Sequence, residues 1–291
     1  MVSALKKIWV KAIPAVFVAL WATGFIGAKY GLPYAEPMTF LAIRMGLAAL
    51  ALLLFAWITR APWPPNPVAA LHVTVAGLLV HGGYLGGVFY AISHGMPAGM
   101  VSLIVGMQPV LTSVAAVLFL NEQVGKRQWV GLGVGLLGLL LVLGHRMSLA
   151  DLTFPSAVAA CMALVSISLG TVYQKRFFAA VDLRTGGVLQ YGASGLCYAA
   201  LAYAFETREV TWSAPFILAL TWSVLALSLG AVALLYRLIR DGAASRVSSL
   251  LYLVPPVTAL IAFVCFDEML TWPAMGGMAL VALGVALVVS R

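Results

Sequence analysis

Ten stretches of roughly twenty apolar residues, each bounded by polar or proline-rich punctuation, constrain this chain more than any other feature. They fall at about 12–32, 38–58, 69–91, 98–120, 128–144, 154–174, 185–205, 214–236, 245–266 and 272–290. A helix needs about 20 such residues to cross roughly 30 Å of hydrocarbon, so the pattern predicts an all-α, polytopic membrane protein with ten transmembrane helices. The fifth stretch, WVGLGVGLLGLLLVLG, is short but unbroken, and its glycines are tolerable because a helix in lipid keeps its own hydrogen bonds. Ten spans leave only short connections, with no room for a soluble domain. A β-barrel is excluded, because its strands would alternate polar and apolar residues.

Composition agrees. Only 9% of the 291 residues are charged, against about 25% in soluble domains. The net charge of +8 comes from basic residues scattered singly or in pairs, without the basic and aromatic groove pattern of a nucleic-acid binder. Cys161, Cys197 and Cys265 lie in apolar runs, and with His72, His81, His94 and His145 they form no metal-ligand spacing. No metal and no cofactor is expected. Lys6, Lys7 and Lys11 ahead of an apolar run also fit a cleaved signal peptide, but the run is longer than a signal core and leads into further spans.

Basic residues beside the helix ends set the orientation. With the N-terminus in the cytoplasm, thirteen lie inside, including Lys126, Arg127, Lys175, Arg176, Arg237 and Arg240, and three lie outside, namely Lys29, Arg146 and Arg208. Both termini are therefore expected in the cytoplasm.

Sliding the chain against itself by 146 residues brings VSLIVGMQPVLT (101–112) onto VSSLLYLVPPVT (247–258). The same offset pairs Glu122 with Glu268, Gly131 with Gly277, Gly138 with Gly284, Lys29 with Lys175 and Tyr90 with Tyr236. Two five-helix repeats, 1–146 and 147–291, follow. Because five is odd, the second enters the membrane from the opposite side, the organisation from which alternating access arises. A carrier is the leading reading. A membrane-embedded lipid-modifying enzyme would need a nucleophile and base pair or a metal cluster, and a channel would need a more polar lining.

The stretches PAVFVALWATGFIGAKYG and QPVLTSVAAVLFLNEQVGKRQWVGLGVGLLGLLLV, with the latter's second copy VPPVTALIAFVCFDEMLTWPAMGGMALVALGVALVV, resemble the EamA-type members of the drug/metabolite transporter superfamily. Within it the chain looks closest to the YddG-like exporters of aromatic amino acids. The resemblance covers essentially the whole chain. It implies a basket-shaped fold with a central cavity, bacterial inner-membrane location and export of small metabolites, amino acids among them. Pro109, Glu122, Pro255 and Glu268 match the family's repeated proline and loop-acid pattern, while Val254 stands where the first copy has Gln108.

No Asp or Glu lies near the centre of a span, so a carboxylate proton relay is absent and facilitated diffusion or exchange is the simpler mechanism. His81 and Tyr84 share a helix face where the second copy has Leu227 and Gly230. They are read as substrate contacts, although a packing histidine fits equally. Trp21 is placed to stack on an aromatic cargo, with Phe25 and Lys29 following on its face, and Lys29 near enough to the helix end to snorkel outward. Gln108 precedes Pro109, which frees a carbonyl about one turn earlier, and Pro255 with Pro256 does the same beside Tyr252. Arg44, inside the second span, needs an anion or a route to the interface. The substrate candidates are thus His81, Tyr84, Gln108, Trp21, Tyr252 and Trp222, and the gating or orienting candidates Lys29, Arg44, Pro109 and Pro255. Partners are a small-molecule substrate and lipid, in a monomer, with Gly131 and Gly135 leaving a dimer open. Reporters fused to the two ends should both read cytoplasmic; a split result removes the five-plus-five topology.

Overall fold

The computed structural model describes residues 2–96, 98–143, 153–178, 181–266 and 271–289, with side chains throughout except at 2–11, 25, 26, 29, 98, 99, 143, 259 and 262–266. Phe25, Lys29, Cys265, Asp267 and Glu268 therefore lie outside the described side chains. Helices α1 (Val2–Gly31) and α2 (Pro37–Ile58) are followed by α3, which runs Pro67–Gly77, a π-helical stretch Leu78–Gly83, then Tyr84–Ser93. Helix α4 is broken into Ala98–Gly106 and Gln108–Leu120, and α5 is Lys126–Leu143. Then come α6 (Phe154–Phe177), α7 (Leu183–Phe205) and α8, composed of Ala214–Trp222, a π-helical Ser223–Ala231 and Val232–Asp241. Helix α9 runs Ala244–Ser249, a 3₁₀ turn Leu250–Leu253 and Val254–Phe266, and α10 is Trp272–Val289.

The starts of these helices follow from local chemistry. Asn66, Thr153 and Ser213 each accept a hydrogen bond from a backbone N–H three residues on, with a proline in the first turn. Proline costs nothing there, because that N–H has no helical acceptor, and the polar cap satisfies one of the others. The prolines inside α4 and α9 act differently. Pro109 and Pro255 lie in the first turn of the second segments, just after breaks at Met107 and at Leu250–Leu253, so each apolar run becomes a jointed rod.

Six stretches among the described residues are long and apolar enough to cross a bilayer: Pro37–Ile58, Pro67–Ser93, Met100–Leu120, Phe154–Phe177, Ala214–Asp241 and Trp272–Val289. Large apolar side chains such as Leu54, Phe55, Val158, Met162 and Leu218 are exposed, while Arg44, His81, Gln108, Gln174, Gln190 and a set of serines and threonines are buried. This inside-out distribution is what an apolar solvent imposes, since only protein can satisfy the polar groups. Cys161 and Cys197 are free and exposed on that apolar surface.

Several elements recur at the 146-residue offset. The second segment of α4 and that of α9 begin 146 residues apart, at Gln108 and Val254, as do α5 and α10, at Lys126 and Trp272. Helices α5 and α10 also pack against each other antiparallel. A Cβ added at Gly131 would lie 2.7 Å from the carbonyl oxygen of Gly284, and one at Gly277 would lie 2.6 Å from that of Gly138. Exchanging each residue for its partner 146 positions away turns the first contact into the second. Gly135 packs on Tyr252 and Gly284, so Gly131 and Gly135 are used within the chain rather than left as a dimer seam. Helices α2 and α7 pair similarly, with Gly187 against Leu52 and Gly195 against Met45.

Because backbone meets backbone at the α5/α10 crossing, Gly138→Leu should lower the melting temperature of the purified protein, overpacking of this kind costing about 1–3 kcal/mol. Gly133→Leu, whose Cβ meets nothing within 4 Å, should leave the melt unchanged. Equal melts for both variants would contradict this crossing.

Candidate functional site

The π-helical stretches of α3 and α8 face the centre of the molecule. A π turn widens the helix and displaces carbonyls from their usual donors, and such turns are frequent at functional sites. Helix α7 supplies replacements. The Tyr198 hydroxyl donates to the carbonyls of His81 (2.5 Å) and Gly82 (2.6 Å), and the Tyr191 hydroxyl donates to that of Ser228. Both distorted turns are thereby held against one helix.

Beside them lies a small cavity of about 50 Å³, lined by residues that include Trp21, Arg44, His81, Tyr84, Phe89 and Leu227. A second of about 20 Å³ adjoins it across Trp21 and Tyr84 and reaches Ser102, Gln108 and Pro255. Trp21 and Tyr84 form the shared wall, their rings 6.4 Å apart and 12° from parallel. Ligand pockets usually span about 300–1,000 Å³, so a cargo fits only after the helices separate.

Arg44 is the cavity's permanent charge. It is 5% exposed, and its Nε donates to Ser228 Oγ at 3.0 Å. Among the described residues no carboxylate pairs with it, the salt bridges there being Arg184 with Asp182 and Arg237 with Asp241. Glu36, Glu122, Glu206, Asp182 and Asp241 are occupied at the helix ends instead. A guanidinium held in a membrane span without a counter-charge is a ready receptor for an anion.

His81 begins a buried chain of hydrogen bonds. Its Nε2 lies 2.7 Å from the Tyr236 hydroxyl, which donates to Gln190 Oε1 at 2.5 Å, and Gln190 Nε2 donates to Gln174 Oε1 at 2.9 Å. With the amide of Gln190 so oriented, the Tyr236 proton is committed to it and His81 Nε2 carries the proton it donates to Tyr236. Gln108 Nε2 donates to Thr171 Oγ1 at 3.3 Å.

The structure thus brings Trp21, Arg44, His81, Tyr84, Gln108 and Pro255 to one place. Two other candidates stand apart from it. Tyr252 is buried against Gly135, its hydroxyl donating to the Leu132 carbonyl at 3.2 Å. Trp222 is 46% exposed and its Nε1 donates to Thr23 Oγ1 at 2.8 Å. Pro109 is buried at the α4 break, and Lys29 lies outside the described side chains. Sequence reasoning did not single out Gln174, Gln190, Tyr236, Tyr198 or Ser228. The available signal was the rarity of amides within apolar runs, together with the offset that pairs Gln190 with Arg44.

Reciprocal clasps close the molecule at its two ends. Glu206 accepts from Met38 N, Thr39 N and Thr39 Oγ1, each at 2.7 Å. Glu36 accepts from Thr207 N and Oγ1, both at 2.6 Å, and from Arg208 N at 3.2 Å. At the other end Glu122 accepts from Ala244 N (2.8 Å), Ser245 N (3.3 Å) and Ser245 Oγ (2.9 Å), and Lys175 Nζ donates to the carbonyls of Ile239 (2.8 Å), Arg240 (3.1 Å) and Gly242 (2.7 Å).

A membrane-spanning bundle, a central cavity enclosed by distorted helices and polar clasps at both ends together define a multi-pass carrier. The model of the EamA-like transporter family matches residues 9–144 and again 155–290, and the chain belongs to that family. The uncharacterized transporter YvbV of Bacillus subtilis is 28% identical over 94% of this chain and 89% of its own length. A probable amino-acid metabolite efflux pump of Salmonella typhimurium is 24% identical over 55% of this chain and 51% of its own. A crystal structure 20% identical in sequence superposes with a TM-score of 0.79 over 96% of each chain, which establishes the shared fold. The protein is therefore a secondary transporter of small metabolites and not an enzyme, a multi-pass protein of the bacterial inner membrane.

The hydrogen bond from the Thr207 hydroxyl, more than the backbone donors beside it, holds the Glu36 carboxyl below its usual value of 4.5. A carboxyl lowered on forming its clasp stabilises that clasp fully above the ordinary value and loses the contribution as pH falls through the lowered one. Amide protection at Thr207 and Arg208, taken as exchange relative to the pH-dependent intrinsic rate, should accordingly be constant near neutrality and fall below about pH 4.5, and Glu36→Gln should show the lowered protection at every pH. A pH-independent profile in the unsubstituted protein would show that the clasp does not depend on the carboxylate.

Proposed function

We propose that this chain is a ten-span, alternating-access carrier that exports small amphipathic metabolites, amino acids including aromatic ones, by facilitated diffusion or exchange. Residues 1–146 and 147–291 form two inverted five-helix repeats, and both termini lie in the cytoplasm. The matching helix starts and the self-consistent contacts of α5 with α10 support the inverted arrangement, and the thirteen-to-three distribution of basic residues supports the orientation. In this reading the YddG-like resemblance is functional as well as architectural, and the printed name of the Salmonella typhimurium relative agrees with an amino-acid cargo.

One observation carries the substrate assignment, the Arg44 guanidinium facing an aromatic cavity without a carboxylate partner among the described residues. Arg44 takes the cargo's carboxylate, Trp21 and Tyr84 hold its body, and His81 and Gln108 supply further hydrogen bonds. The breaks beside Pro109 and Pro255 let α4 and α9 bend as the halves rock, and Lys29 guides the cargo at the outer end. The clasps separate one at a time, so that the cavity opens to one side only.

Proteoliposomes loaded with unlabelled amino acids should take up labelled phenylalanine or tyrosine by saturable counterflow. His81→Ala, Tyr84→Ala and Gln108→Ala should each weaken apparent affinity by roughly tenfold, the cost of about one lost hydrogen bond or ring contact, with folded protein retained. Unchanged affinity in all three would remove these residues from the site, and non-saturable flux would make the protein a channel.

A further inference from the structure

A cavity in the hydrocarbon region must balance its own charge, because water and counter-ions are not there to do so. Among the described residues the lining holds one permanent cation, Arg44, and no carboxylate. The acids that might have faced it are occupied elsewhere: Glu36 and Glu206 at one end of the bundle, Glu122 at the other, Asp182 on Arg184 and Asp241 on Arg237. Ser228 Oγ accepts a hydrogen bond from Arg44 but brings no charge. Trp21, His81 and Tyr84 add aromatic faces and polar atoms but no carboxylate, and Val80, Leu85, Val88, Phe89, Leu227 and Val232 are apolar.

This inventory ranks cargoes by net charge. A carboxylate with an uncharged body neutralises Arg44 and leaves the loaded cavity neutral. A zwitterionic amino acid supplies the same carboxylate but adds an ammonium, for which the lining offers aromatic faces and no anion, so the loaded cavity keeps a net positive charge. Two cations a few ångströms apart repel strongly where the effective dielectric is low. An amine without a carboxylate has aromatic faces to meet but leaves Arg44 uncompensated and is repelled by it.

We infer that the preferred cargo of this site is a net-anionic, amine-free aromatic or branched apolar carboxylate, such as an aryl 2-oxo or 2-hydroxy acid or an aryl alkanoate, with the corresponding amino acids as weaker ligands. The inference rests on the central cavity being the transport site, as proposed above, and specifies which member of the carboxylate class it selects.

Three compounds with one aromatic ring and one two-carbon tether test it: 3-phenylpropionate, phenylalanine and 2-phenylethylamine. Titration calorimetry on the full chain in lipid nanodiscs at pH 7 should find 3-phenylpropionate binding roughly tenfold or more tighter than phenylalanine, the order expected for one uncompensated like-charge contact, and no binding of the amine. Arg44→Gln should abolish the preference, and Arg44→Lys should retain the order at lower affinity. If Arg44→Gln does not fold, the ranking in the unsubstituted protein decides alone. Phenylalanine binding as tightly as 3-phenylpropionate overturns the inference and leaves the central cavity as the site. Failure of all three to bind overturns both.

Discussion

Hydrocarbon offers no hydrogen bonds, and the arrangement of this molecule follows from that. Each backbone polar group must be satisfied by its own helix or by a neighbouring side chain, so the apolar residues turn outward and the few polar ones gather within. The two π-helical turns show the rule under stress. Their displaced carbonyls are met by the hydroxyls of Tyr191 and Tyr198 from one adjacent helix, which fixes that helix against both distortions and sets the walls of the central cavity.

The same constraint distributes the charges. Carboxylates at the helix ends are affordable because backbone N–H groups of helix starts and loops receive them, as Glu206 is received at the start of α2 and Glu122 at the start of α9. Arg44 has no such provision in the middle of the bundle. Its burial is costly, because among the described residues only the Ser228 hydroxyl meets its guanidinium. In the carrier proposed above, helices that meet their own repeat partners across a self-related seam would exchange near-equivalent packings.

The two halves of the sequence differ at several residues that line the cavities. His81 and Tyr84 stand opposite Leu227 and Gly230 in the repeat, and Gln108 opposite Val254. The cavity consequently draws its polar groups mainly from the first half and much of its apolar wall from both. The second half contributes the hydrogen-bonded chain behind His81, through Tyr236, Gln190 and Gln174.

The sequence by itself determined the helical class, the approximate places of the apolar runs and the 146-residue internal similarity, because apolar length, helix-start chemistry and internal similarity are local or one-dimensional properties, and it singled out Trp21, Arg44, His81 and Tyr84 among the residues that line the cavity. It also placed His81 and Tyr84 on one face correctly, since three residues apart on a helix is sufficient information. Only the tertiary structure decided which way Tyr252 and Trp222 point, that Gly131 and Gly135 serve the α5/α10 crossing, and that Gln174, Gln190 and Tyr236 support the site. Those facts depend on helix rotation and on partners more than a hundred residues apart in several cases, and in a chain apolar on nearly every helix face no periodicity in the sequence reports which face turns inward.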